Sequence, residues 1–167
     1  IEVLNFSQKT LNLSGLTVAG EVRFSFLESD NKSLNPGERV LLVRNAKAFA
    51  TRYGPNISIG GVYSGKLSNS GGRLKIVDQS GKLILELNYQ DDWIPVTDGR
   101  GFSLVAKKLT PQGEMDGAEY WGASLNIHGS PGVPDNHLET NYSVVINEAL
   151  THTDLPMKDT VELFNEG

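Results

Sequence analysis

One short sequence stands at both ends of the chain: IEVLNFS at residues 1–7 and VELFNEG at residues 161–167. Aligned, Ile1 falls on Val161, Glu2 on Glu162, Val3 on Leu163, Leu4 on Phe164 and Asn5 on Asn165. Each apolar position meets an apolar one, while the acid and the amide are unchanged. The repeat distance is that of a whole domain, far above the roughly 20–50 residues of solenoid units. A chain of 167 residues holds one good core and is too short for two domains of ordinary size. The expected organisation is therefore a sandwich lacking its first strand at 1–135, a linker at 136–142, and the opening strands of a next copy at 143–167. On this reading the chain is a tandem array cut out of register, and such arrays more often bind, space or display than catalyse.

Composition narrows the partners. Hydrophobic residues make up 38% and charged residues 21%, which suits a globular chain and argues against disorder over most of its length. With 15 basic and 20 acidic residues the net charge is -5, so nothing draws the chain to phosphate-rich surfaces, and nucleic acid is not an expected partner. No apolar run approaches the ~18 residues of a membrane span, so membrane insertion is not expected either. The absence of Cys removes disulfides, thiolate metal sites and Cys nucleophiles together.

Runs rich in Val, Ile, Leu, Phe and Tyr, separated by Gly, Asn, Pro and Asp clusters, predict strands at 1–6, 16–18, 22–26, 39–44, 73–78, 83–89 and 102–107. In the sixth of these, Leu83, Leu85, Leu87 and Tyr89 alternate with Ile84 and Glu86, the period of two of a half-buried strand with a largely solvated second face. The expected core is Val3, Leu13, Leu16, Val22, Phe24, Phe26, Val40, Leu42, Leu74, Ile76, Leu85, Leu87, Phe102 and Leu104. One helix is predicted at 45–53. Asn45 is its N-cap, Gly54 and Pro55 stop it, and Phe49 and Tyr53 lie on one side to pin it across an end of the sandwich. Asn35-Pro36-Gly37-Glu38 and Asp78-Gln79-Ser80-Gly81 are turns by residue type. The glycine-rich stretch at 60–72 lacks the spacing of a phosphate loop and reads as a connection or hairpin.

Several of these pieces occur together and in order in a known family. LNLSGLTVAG at 11–20, LNPGERVLLVRN at 34–45, LSNSGGRLKIVDQSGKLILELNYQDDW at 67–93 and DGRGFSLVAK at 98–107 resemble the lamin tail domain of bacterial secreted and surface proteins. YWGASLNIHGSPGVPD at 120–135 is similar to that family's closing segment, and VVINEAL at 144–150 to its opening strand. The resemblance implies an all-β fold, an immunoglobulin-like antiparallel β-sandwich, here with one short helical insertion after Arg44 that the nuclear version lacks. It implies an accessory module with no catalytic residues of its own, extracellular or at a bacterial cell surface.

Chemistry-bearing residues are few. Asp91, Asp92 and Asp98 surround a turn where oxygens could gather around calcium, although the spacing is not that of an EF-hand. Trp93, in the same loop, and Trp121 offer aromatic faces of the kind that stack on sugars. His128, His137 and His152 show no metal-ligand spacing, and no GxSxG occurs, so no metal site and no catalytic site is expected. The expected function is a non-catalytic interaction or spacer module of a larger secreted or cell-surface bacterial protein, with neighbouring domains and other proteins as partners and no cofactor. The alternative is a carbohydrate- or calcium-binding β-sandwich module. Residues 143–167 are too short to fold alone, so 144–150 is expected to fill the vacant place beside 1–6, within one chain or by swapping between two.

Overall fold

Turn glycines and short apolar runs divide the chain into strands of two to seven residues. The computed structural model describes residues 1–107, 115–135, 144–150 and 160–165. Its strands are β1 (Glu2–Leu4), β2 (Leu11–Asn12), β3 (Thr17–Gly20), β4 (Val22–Ser25), β5 (Ser33–Leu34) and β6 (Arg39–Val43). After helix α1 (Ala46–Tyr53) come β7 (Gly61–Val62), β8 (Ser64–Gly65), β9 (Gly72–Val77) and β10 (Leu83–Tyr89), then β11 (Leu104–Ala106), β12 (Trp121–Ala123), β13 (Val144–Leu150) and β14 (Thr160–Asn165). The fold is all-β and sandwich-like, with one short helix.

A five-stranded sheet, in the order β10-β9-β3-β4-β8, and a three-stranded sheet, β1-β6-β7, supply the central core. Val18, Val22 and Phe24 come from the first, Val40 and Leu42 from the second, with Leu13, Phe26 and Leu34 from the connections and β5. Ile1, Val3, Leu16, Leu74 and Ile76 are partly buried against this cluster. In β6, Leu41 and Val43 are buried as well as Val40 and Leu42. This strand is therefore covered on both faces and reads as an unbroken apolar run, where a half-solvated strand would alternate. Val18, Leu34, Leu41, Val43, Trp121 and Ala123 are buried residues that the expected core did not include.

One strand pair is an exception to the antiparallel pattern. β6 and β7 run parallel, with Leu42 opposite Gly61 and Val43 opposite Val62. Parallel neighbours need a crossover connection, and α1 lies in it, so the helix is part of the sheet's wiring. Asn45 caps α1 as expected, its side chain accepting from the Ala48 N–H at 2.9 Å. Phe49 and Tyr53 stack at 4.7 Å, and the Tyr53 hydroxyl donates to the His128 carbonyl at 2.7 Å, tying the helix to a distant loop. The glycine-rich stretch then changes sheets: β7 pairs with β6 while β8 pairs with β4. Gly61 is placed where any Cβ would strike the Phe24 ring, so the close approach of β7 to the core requires glycine.

Leu85, Phe102 and Leu104 are half-buried and lie outside the central cluster. For Leu85 the reason is position, since β10 is an edge strand with β9 on one side only. Leu85→Ala is accordingly expected to cost about 1–2 kcal/mol, below the roughly 2–5 of a fully buried leucine. Urea unfolding checks this. A loss above about 4 kcal/mol would mean that the edge is more enclosed than described.

In the tail, β13 pairs antiparallel with β14 in a two-stranded sheet, and among the described residues it does not pair with β1 of the same chain. Nine residues, 151–159, join the two strands, so the local pairing closes a far shorter loop than a return to β1 does. The linker at 136–142 lies outside the described residues.

Candidate functional site

The loop after β10 holds most of the candidates. Asp91 and Asp92 are exposed, Trp93 is half-buried, and the chain then closes a 3-10 turn, Pro95–Thr97. Thr97 secures that turn, its N–H and its hydroxyl both donating to the Ile94 carbonyl at 2.8 Å. Asp98 follows, exposed and extended, leading into Gly99 at a φ of 70°. Among the described residues no group of three or more Asp, Glu or His side chains converges in a way that could hold a metal ion. Asp91, Asp92 and Asp98 are exposed carboxylates on one loop.

Trp121 is elsewhere and differently placed. It opens β12, opposite Ala106 of β11, and is 9% exposed. Its indole N–H donates to the Met115 carbonyl at 2.7 Å. A ring so enclosed offers no open face for stacking on a ligand. His128 sits at a φ of 76° with its N–H donating to the Gly101 carbonyl at 2.6 Å, so its backbone joins two loops. His137 and His152 lie outside the described residues.

The surface concavities are shallow. One follows the outer side of α1, along Asn45, Lys47, Ala48, Thr51 and Arg52. The second lies between Arg44, Tyr63, Lys66 and the 67–69 segment. Burial pushes the Tyr63 phenol up, with the Arg44 charge opposing, which leaves it a neutral hydrogen-bonding group at physiological pH. Among the described residues no helix is long and apolar enough to cross a membrane.

The residue that sequence reasoning passed over is Asn5, 1% exposed at the end of β1. Its side-chain amide donates to the Lys9 carbonyl at 2.8 Å and the Leu34 carbonyl at 2.7 Å. Its Oδ1 accepts from the Ser7 N–H at 3.0 Å and the Ser7 hydroxyl at 2.8 Å. Its backbone completes the pairing with the next turn: the Asn5 N–H donates to Glu38, and Gly37 donates back to Asn5. All the hydrogen-bonding capacity of an asparagine side chain is used, which makes Asn5 a fastener for the start of the fold. The available signal was the Asn at the matching position, Asn165, of the similar segment at 161–167.

Glu2, the other unchanged polar position, also has a defined task. It pairs with Arg39 at 3.0 Å on one face of the sheet and accepts from the Gly132 N–H at 2.8 Å. The strand that opens the body is thereby tied to the segment that closes it. Searches among protein-family models, curated proteins and solved structures found no match to this chain.

Proposed function

We propose that the chain is a non-catalytic interaction and spacer module, similar to lamin tail domains with their immunoglobulin-like sandwich, within a larger secreted or cell-surface bacterial protein. One observation carries this reading: the strand sequence of β1 returns as β14, with Glu2 answered by Glu162 and Asn5 by Asn165. In the body these two side chains fasten the start of the fold to its turns and to its closing loop. A second copy of the same fastening residues supports a second module of the same kind. Modules in series act as rigid spacers and present their loops and edges to neighbouring domains and other proteins. The alternative, a calcium or sugar binder, would draw on the loop that carries Asp91, Asp92, the half-buried Trp93 and Asp98, while Trp121 is buried in β12.

Thermal unfolding tests the reading. The melting temperature is expected to stay unchanged in millimolar calcium and in the presence of oligosaccharides, because a ligand that binds only the native state must raise its stability. A calcium-dependent rise of several degrees that disappears in Asp92→Asn would replace the spacer reading with that of a binding module.

A further inference from the structure

We propose that the concavity between Arg44 and Lys66 is a docking site for the Asp91–Asp92 loop of a second copy of this chain, the two copies pairing about a two-fold axis. This rests on the interaction-module reading above and gives it a partner. Residues 39–77 contain seven Lys or Arg and no Asp or Glu, so this stretch is positive although the whole chain carries a net charge of -5. Three of the seven are neutralised in the fold, Arg39 by Glu2, and Arg73 and Lys75 by Glu86. Arg44, Lys47, Arg52 and Lys66 make no ion pair among the described residues. Two of them, Arg44 and Lys66, line one concavity together with Tyr63 and the 67–69 segment, and no carboxylate lines it. Tyr63 lies in the field of Arg44 and keeps its phenol proton at neutral pH, so it adds a neutral donor between the cations. A guanidinium fork, an ammonium and a hydroxyl suit carboxylate oxygens.

The complement lies on the same surface. Where β10 ends, the Tyr89 hydroxyl donates to the Ser68 carbonyl at 3.0 Å, and Gln90 lies against Gly71. Asp91 and Asp92 follow directly, both exposed and without an ion pair among the described residues. Residues 68–71 stand between them and the concavity, so the opposite charges are neighbours that do not meet. A patch with a positive and a negative half side by side is complementary to itself. Turned by a two-fold axis, each half faces the opposite half of its partner, and both sets of ion pairs form together. The negative half also selects the occupant. A polyanion entering the concavity would meet Asp91 and Asp92 as like charges beside it, whereas a second copy brings cations to them. Exposed ion pairs are individually weak, so the contact is a low-affinity one that gains occupancy where several modules are carried on one molecule.

Sedimentation equilibrium of the full chain at millimolar concentration tests this. At about 20 mM salt the mean mass is expected to rise towards twice that of the monomer, and in about 1 M salt, where screening acts beyond about 3 Å, to return to it. Asp91→Lys with Asp92→Lys, and separately Arg44→Glu with Lys66→Glu, leave patches of a single sign, and each variant should be monomeric. An equimolar mixture of the two should associate, because a wholly positive patch then meets a wholly negative one. Association of the parent that survives high salt, association of either variant alone, a mixture that stays monomeric, or a parent that is monomeric throughout overturns the proposal. Should a charge-reversed variant not fold, Asp91→Asn with Asp92→Asn and Arg44→Gln with Lys66→Gln take their places. Each must then weaken the association of the parent by about tenfold or more, and a smaller change in either overturns the proposal. A monomeric parent whose amides at 63–69 shift on adding a hexaglutamate peptide assigns the concavity to a different acidic protein and overturns the second copy as its occupant. A monomeric parent with a calcium-insensitive melt removes this docking and leaves the spacer reading standing, whereas a calcium-dependent melt that is lost in Asp92→Asn gives the loop to calcium and overturns both.

Discussion

Asn5→Ala is expected to destabilise the protein by about 2–4 kcal/mol, since a buried group left without its hydrogen-bond partner costs about 1–3 kcal/mol. The Leu34 carbonyl is the costly loss, because its bond to the Asn5 amide is buried, whereas the Lys9 and Ser7 partners are nearer to water. Against the roughly 5–15 kcal/mol of a typical domain this is a large fraction. Asn5→Asp discriminates between lost shape and lost donors. It preserves the outline but sets a carboxylate against two carbonyl oxygens, so at neutral pH it should cost at least as much as alanine. Burial and the facing carbonyls raise the folded-state pKa of that carboxyl above its unfolded value. The variant should therefore regain stability as pH falls through the folded pKa towards about 4, the unfolded carboxyl value, and lose it again as pH rises. Denaturant midpoints at several pH values measure this, and an Asn5→Ala protein as stable as the parent would show that the four bonds hold nothing together.

How much was legible in the sequence depended on whether a segment's structure is decided locally. β4, β9 and β10 carry enough alternation to be read directly, and the Asn45 cap and the Gly54 stop delimit α1 from residue type alone. β7 and β8 were not legible. They are two residues each, rich in glycine, and become strands only because β6 and β4 lie alongside. β12 was missed for the same reason, its three residues being fixed by pairing with β11. Leu85 shows the complementary error: the alternation of residue types marked a strand but carried no information about the register shift between Leu83 and Leu85 or about β10 lying at the edge of its sheet.

Among site residues the same division holds. Acidic residue type marked Asp91, Asp92 and Asp98, and the structure places all three exposed on one loop. Aromatic type marked Trp121, yet its burial follows from its place in β12. Asn5 bears no motif, and its importance comes from the local partners Ser7 and Lys9 together with the distant Leu34 carbonyl, which only the fold brings to it. The likeness of residues 1–7 to 161–167 was thus an informative guide to structure, because Glu2 and Asn5, the two polar residues it keeps, are ones with defined partners.

Phe26→Ala is expected to have the largest effect of any single truncation, about 3–5 kcal/mol, the range for removing a phenyl ring from a closed core. Phe26 is 1% exposed and meets the Phe24 ring edge-on at 5.1 Å between centroids. Its backbone fixes a corner: the Phe26 N–H donates to the Leu16 carbonyl, and its own carbonyl accepts from Ser29 at the end of a 3-10 turn capped by Ser25. With the chain held on both sides of the ring, the site cannot collapse, and the vacated volume remains as a cavity. Phe26→Leu, which refills most of that space, should recover more than half of the loss. Phe24 offers a contrast within the same pair, being 9% exposed and lying over Gly61, where β7 approaches. Urea midpoints for the two variants, at unchanged slope, give the ordering directly. A Phe26→Ala protein that loses less than about 1 kcal/mol would place the centre of the core elsewhere than between β4 and β6.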